Sequence, residues 1–148
     1  MKIHTIRFGT IDIDENKIVI VPEGIIGFPD IKRYAILDMG EDIHFKLFQA
    51  VDEYTLGFVI IDPLLFKPDY KVKIRMEDLH SLNTDNINEI VTMVIVTIPD
   101  DPYRMTANLR GPLLINLKSR LAKQQILIED TYTTRHLIIS RPELIQMA

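Results

Sequence analysis

Thr10-Ile11-Asp12-Ile13, then Asp14-Glu15-Asn16-Lys17, then Ile18-Val19-Ile20-Val21-Pro22-Glu23-Gly24 is the stretch that decides the fold class of this chain. Its first four residues alternate polar with apolar, the pattern of a strand with one wet face. The next four are polar and read as a turn. Ile18 to Val21 is continuously apolar, as a strand covered on both faces must be, and Pro22 and Gly24 stop it. Strands and turns succeeding one another at this short spacing suggest antiparallel architecture. Working outward, residues 3–8 form an earlier strand, and Gly27-Phe28-Pro29-Asp30 is the next turn. Further β-branched and aromatic runs predict strands at residues 34–37, 45–51, 56–61, 71–74, 91–98, 106–109, 113–116 and 124–128.

That spacing predicts a mainly β chain: a small antiparallel β-barrel, or a barrel-like sandwich, with one or two short helices. Met76, Leu79 and Leu82 fall at helical spacing with acids early, and this helix is expected to cover one open end of the barrel. The tail from Arg141 to Met147 is a second helical candidate or a frayed end, since Pro142 suits a first helical turn. Residues 81–89, rich in Asn and Asp, are expected to be the least ordered. No linker divides the chain, so residues 1–148 read as one domain, with 137–148 the frayed or helical tail.

The 148 residues carry 17 Lys+Arg against 21 Asp+Glu, a net charge of −4, which argues against a dedicated nucleic-acid binder. Cysteine is absent, which removes disulfides, thiolate metal sites and a cysteine nucleophile, and is compatible with a reducing compartment. Neither a secretory leader nor an apolar run near the ~18 residues of a membrane span is present. The expectation is a soluble cytoplasmic protein, monomeric when free.

Catalytic and cofactor patterns are missing. His4, His44, His80 and His136 lie far apart with no metal-ligand spacing. Ser81, Ser119 and Ser140 sit outside any nucleophile elbow, and no glycine pattern cradles phosphate. Asp12, Asp14, Asn16 and Glu23 match four positions of a calcium loop, but Lys17 occupies the position where the sharp turn needs glycine. No metal, no cofactor and no catalytic residue is therefore assigned. The one basic cluster, Lys118 to Lys123, reads as a solvated hairpin.

Two features suit a binding protein instead. Acids pair at Glu41-Asp42, Asp52-Glu53, Glu77-Asp78, Asp100-Asp101 and Glu129-Asp130. Such pairs either solvate the surface, serve as a hydrolase acid and base across a cleft, or steer a basic partner. The apolar run from Leu56 to Ile61 also continues through Asp62-Pro63 into Leu64-Leu65-Phe66-Lys67-Pro68-Asp69-Tyr70. Large apolar side chains in a proline-bounded loop either plug the core or form an exposed docking patch.

This loop resembles the D-P-hydrophobic-hydrophobic-F-x-P-D-Y segment of the flagellar assembly factor FliW family. The similarity extends to Arg7-Phe8-Gly9, to Pro22-Glu23-Gly24-Ile25-Ile26-Gly27-Phe28 and to Leu47-Phe48-Gln49-Ala50-Val51. Downstream it includes Val94 to Pro99, Asp101-Pro102, Thr106 to Pro112, Ile115-Asn116 and Lys123-Gln124, and it runs to about His136. The chain departs from the family pattern at Ala122, where Gly is common, and at Leu137, where Pro often follows Thr-Arg-His. The resemblance implies a non-enzymatic β-barrel that binds flagellin and the RNA-binding translational regulator CsrA. In such a switch flagellin displaces CsrA, which then represses flagellin mRNA; a flagellin chaperone without CsrA regulation is the alternative. Phe28, Leu65, Phe66, Asp69 and Tyr70 are expected to form part of a protein-binding face, with Glu41, Asp42, Glu77 and Asp78 steering the basic partner.

Overall fold

The alternating runs pair into eleven strands in a computed structural model that describes residues 1–41 and 43–138. In chain order they are β1 (Lys2–Thr5), β2 (Gly9–Asp12), β3 (Ile18–Ile20), β4 (Arg33–Asp38), β5 (Lys46–Ala50), β6 (Gly57–Ile61), β7 (Ile90–Thr97), β8 (Thr106–Ala107), β9 (Leu113–Asn116), β10 (Leu121–Gln124) and β11 (His136–Leu137). One short helix, α1 (Met76–Ser81), lies between β6 and β7.

Strands β3 to β7 form an antiparallel meander. Residues 90–93 of β7 pair with β9, whose hairpin partner β10 meets β3 through one parallel pair, Leu121 with Ile20. The ring β3-β4-β5-β6-β7-β9-β10 is thereby a closed seven-stranded barrel, which leaves the seven strands no open sheet edge. The far end of β7 instead carries β8, and β8 carries β11.

Strict alternation sorts the core into layers. Val19, Tyr34, Phe48, Ile60, Met93, Leu113, Ile115 and Ala122 meet inside the barrel. On the outside, the β1–β2 hairpin covers Ile18, Ala35, Leu37 and Leu47 with Ile3 and Ile13. A second outer cluster joins Ile61, Val94 and Val96 to Phe45, Tyr70, Met105, Ala107, Leu109 and Ile138. The uninterrupted apolar run of β6 follows from this double covering, and so does that of β3 apart from Ile20, which is exposed.

Inside the barrel the Tyr34 ring stacks on Phe48 with centroids 4.5 Å apart and planes 9° from parallel. Among the described residues its hydroxyl has no hydrogen-bond partner, and burial pushes its pKa up to about 12. An orphan buried hydroxyl costs roughly 1–3 kcal/mol of desolvation. Tyr34→Phe is therefore expected to stabilise the domain by about 1–2 kcal/mol, read as a higher urea midpoint with an unchanged slope.

Several sequence expectations move. The first strand stops at Thr5, because Thr5 Oγ1 accepts from the Phe8 amide (2.9 Å) and donates to the Gly9 carbonyl (2.8 Å), closing a turn that Gly9 completes at φ +67°. Residues 71–74 keep their alternation but pair with no strand, and the strand expected at 124–128 is displaced upstream into β10. Strand β11 has no counterpart in the sequence reading. Helix α1 lies not over an open barrel end but beside the β9–β10 hairpin: Asn116 Nδ2 and Ser119 Oγ both donate to the Leu82 carbonyl (2.9 and 2.8 Å). Those bonds satisfy a helix-end carbonyl that an open barrel mouth would leave to water. Residues 81–89 are turns held by their own side chains, with Asn86 Oδ1 accepting from the Asn88 amide and Thr84 Oγ1 from the Asn86 amide. The tail candidate, 141–147, and Asp42 lie outside the described residues.

Candidate functional site

Two proline-bounded turns carry the apolar residues that the sequence singles out, and each is built differently. The first follows β3. Gly24, at φ +68°, closes it by donating to the Val21 carbonyl (2.9 Å), and a Cβ there would sit 2.5 Å from the Phe28 carbonyl oxygen, so only glycine fits. The Phe28 amide donates to the Ile25 carbonyl (2.7 Å), the Ile26 amide to Gln124 Oε1 (2.9 Å), and Lys32 Nζ to the carbonyls of Pro22 and Pro29. Ile25 is thereby buried, while Ile26 stays exposed and Phe28 is 40% exposed with its edge against Phe58, 5.8 Å away.

The second turn follows β6. Asp62 Oδ1 accepts from the Leu64 amide (3.0 Å), Pro63 starts a single 3-10 turn, and the Lys67 amide donates to the Pro63 carbonyl (2.9 Å). This winding splits the apolar triplet. Leu64 points outward at 52% exposure, whereas Leu65 and Phe66 are half-buried against the outer cluster of β6 and β7. Phe66 also stacks on His136 with centroids 6.0 Å apart. Burial, together with nearby Lys67, holds the His136 pKa below its ordinary value. Asp69 faces solvent and pairs with Lys67 Nζ at 2.9 Å, whose hydrogen bond lowers its pKa.

Tyr70 is only 6% exposed, and its hydroxyl donates to the Leu109 carbonyl at 2.6 Å. Burial pushes its pKa far up. It stands as a structural strut beneath the turn. The structure therefore gathers Leu65, Phe66, Asp69 and Tyr70 around one turn, and leaves Phe28 at the other end of β6 on a different cluster.

The acids separate just as clearly. Glu41 is exposed. Glu77 is exposed and pairs with Arg75 (2.8 Å). Asp78 is 1% exposed: its Oδ2 accepts from the Arg75 amide (3.0 Å) and its Oδ1 from Lys123 Nζ (3.0 Å). Burial pushes its carboxyl up, but the Arg75 amide and the Lys123 ammonium outweigh that and hold it below the ordinary value. Elsewhere, Asp52 is lowered by its hydrogen bond to Arg33, Asp38 by its hydrogen bond to Lys46, and Glu89 by the Thr84 hydroxyl. A general acid needs a carboxyl held up near neutrality, and every resolved carboxyl shift here runs downward. The calcium-like stretch is a 3-10 turn in which Asp14 Oδ1 accepts from the Asn16 amide, so that carboxylate caps backbone. Among the described residues no group of three His, Cys, Asp or Glu side chains is arranged to hold a metal ion, and no helix is long and apolar enough to cross a membrane.

Of the Leu64-Leu65-Phe66 triplet, which the sequence left open between plug and patch, only Leu64 is exposed, and sequence reasoning missed Ile26 as the most exposed apolar side chain of the other turn; the signal was only its placement beside glycine. It also missed a groove of about 210 Å³ between residues 71–75 and 125–132.

The family model described as FliW protein matches residues 2–138. Over 140 residues the chain is 41% identical to the flagellar assembly factor FliW of Thermoanaerobacter pseudethanolicus, covering 94% of this chain and 93% of that one. It is 39% identical to the flagellar assembly factor FliW of Leptospira interrogans, also over 140 residues and with the same coverage. A crystal structure of the flagellar assembly factor FliW superimposes with a TM-score of 0.88 at 34% identity, over 96% of this chain and 99% of the other.

Proposed function

This chain belongs to the FliW family, and from that premise we propose that it serves flagellar assembly as a regulatory binding protein whose output is occupancy. Flagellin and the translational regulator CsrA are its two partners, and capture of flagellin releases CsrA to repress flagellin mRNA. The observation that carries this reading is the turn at residues 25–28. Its backbone is pinned by Gln124 and Lys32, yet it holds Ile26 and Phe28 out in water. A rigid turn that presents apolar side chains has little ordering entropy left to lose on binding. Leu64, beyond the other end of β6, offers a second such anchor.

Exposed Glu41 and Glu77 suit long-range attraction of a basic RNA-binding partner. Asp78 supports this only indirectly, because its charge is consumed inside the fold. Exchange of one partner for the other requires that each disfavour binding of the other, by overlap or by a coupling free energy.

Affinity capture with this protein from lysates of a wild-type and a flagellin-deleted strain tests the switch. CsrA is expected in greater yield from the strain without flagellin. Equal yields of CsrA from both would refute the exchange, and flagellin capture with no CsrA in either lysate would leave the protein a flagellin chaperone alone.

A further inference from the structure

The two segments that read as strands but gain no strand assignment, 71–74 and 125–128, line opposite sides of the same groove. In the first, Val72 and Ile74 turn inward while Lys71 and Lys73 are exposed, which is the pleat of a strand. Among the described residues no backbone-to-backbone hydrogen bond is made by residues 71–74; the Lys71 amide donates to the Tyr132 hydroxyl instead. In the second segment the amides of Gln125 and Leu127 donate to the carbonyls of Pro112 and Arg110 (both 2.9 Å). By the same period of two, Ile126 presents its backbone groups to the other side, and among the described residues they have no backbone partner.

Two side chains bridge the groove: the Tyr132 hydroxyl accepts from the Lys71 amide at 3.0 Å, and Gln125 Nε2 donates to the Lys73 carbonyl at 3.2 Å. A glutamine side chain plus one hydrogen bond spans at most about two interstrand spacings of ~4.8 Å, so the groove is no wider than one absent strand. Gln125 Oε1 is buried there without a partner. Buried acceptors are rarely left unpaired in a finished structure.

We propose that this groove is a docking slot for an extended peptide segment that alternates acidic with apolar residues and enters as the missing strand. The acids are required by one wall: Lys71 and Lys73 are exposed and, among the described residues, take part in no ion pair, whereas Arg75 is already engaged by Glu77 and Asp78. The apolar positions are required by the other wall, where Ile128 is 90% exposed and Ile126 about half. An incoming strand that displaces the Gln125 and Tyr132 side chains meets the groove-facing backbone groups of Lys71, Lys73 and Ile126, the pattern of strand addition, in which backbone bonds give affinity and alternate side chains give specificity. The slot is separate from the turns at residues 25–28 and 62–66, and the inference does not depend on which partners those turns bind.

The probe is a fluorescein-labelled peptide of four Glu-Val repeats, with a Lys-Val peptide as its counterpart, titrated into the full chain by anisotropy and followed by amide NMR. Saturable binding of the Glu-Val peptide alone is expected, with the largest amide shifts at residues 71–74 and 125–128. The double variant K71E/K73E is expected to weaken it at least about tenfold, roughly 1.4 kcal/mol. A charge-matched control, K2E/K17E, is expected to change it less than about twofold, since those lysines lie outside the groove. Absent binding, shifts centred elsewhere, or equal losses in both double variants would overturn the proposal. So would concentration-dependent self-association through this face in sedimentation, which would make the occupant a second copy of the chain.

Discussion

Asp78→Ala is expected to destabilise the domain by about 3 kcal/mol, a loss of roughly 6–12 °C in Tm for a chain of this size. The change removes the acceptor for the Arg75 amide at the start of α1 and strands Lys123 Nζ, which reaches Asp78 at 3.0 Å and is itself mostly covered. Breaking a buried pair from one side costs about 3–5 kcal/mol, and the residual solvent at Lys123 places this case at the low end. The double variant Asp78→Ala/Lys123→Met should recover part of the loss, because no charge is then left without a partner. A double variant no more stable than Asp78→Ala would show that the cap, and not the ion pair, carries the effect.

The pH dependence has a definite sign. The folded-state pKa of Asp78 lies below its ordinary value. Its contribution is therefore complete above the unfolded carboxyl pKa of about 3.9 and is lost as pH falls through the lowered folded value. Urea unfolding should give a constant gap between wild type and Asp78→Ala from pH 7 to about 5. The gap should narrow below about pH 4, provided the fold survives there. A gap that widens with acid would contradict the assignment. Charge reversal at Asp78 consequently reports on folding, and a test of steering belongs at Glu77 or Glu41.

Tyr70 supplies the second large effect. Tyr70→Ala is expected to cost about 3–5 kcal/mol, since it empties a cluster of Phe45, Ile61, Val94, Leu109 and Ile138. Tyr70→Phe keeps the ring and orphans the Leu109 carbonyl, now 2.6 Å from the hydroxyl, for a cost of about 1–2 kcal/mol. Partner capture by the folded Tyr70→Phe protein should be unchanged. If capture fell while stability held, Tyr70 would belong to a binding face after all. Phe66→Ala is a less clean test of binding, because Phe66 packs both on this cluster and on His136. Phe28 and Leu64 separate docking from packing better.

Particular residues explain how far the sequence could be read. Ile18 to Val21 announced a doubly covered strand and Leu56 to Ile61 a buried one; the barrel interior and its outer clusters cover Ile18, Val19, Val21, Ile60 and Ile61, while Ile20 stays exposed. Residues 71–74 do turn Val72 and Ile74 inward, whereas in 124–128 Ile126 and Ile128 face outward, and neither segment pairs as the strand expected. A period of two states which face is buried; it carries no information about whether a neighbouring strand exists. For the candidate site, acids and apolar loops were visible, but Asp78 and Glu77 are adjacent letters with opposite fates. One turns toward Lys123, 45 residues away in the chain, and the other toward water.

By itself the sequence determined the fold class, the strand-rich single chain and, through its motifs, the family resemblance, because these rest on local periodicity, turn chemistry and the order of short segments. Only the tertiary structure decided the rest. It closed the ring through Leu121 and Ile20, set α1 against the β9–β10 hairpin, put Tyr70 under the surface and Phe28 on it, and left two strand-like segments facing each other across an open slot. The physical reason is that burial and pairing are properties of contacts between residues distant in the chain, and a side chain's neighbours along the chain do not specify which of those contacts will form.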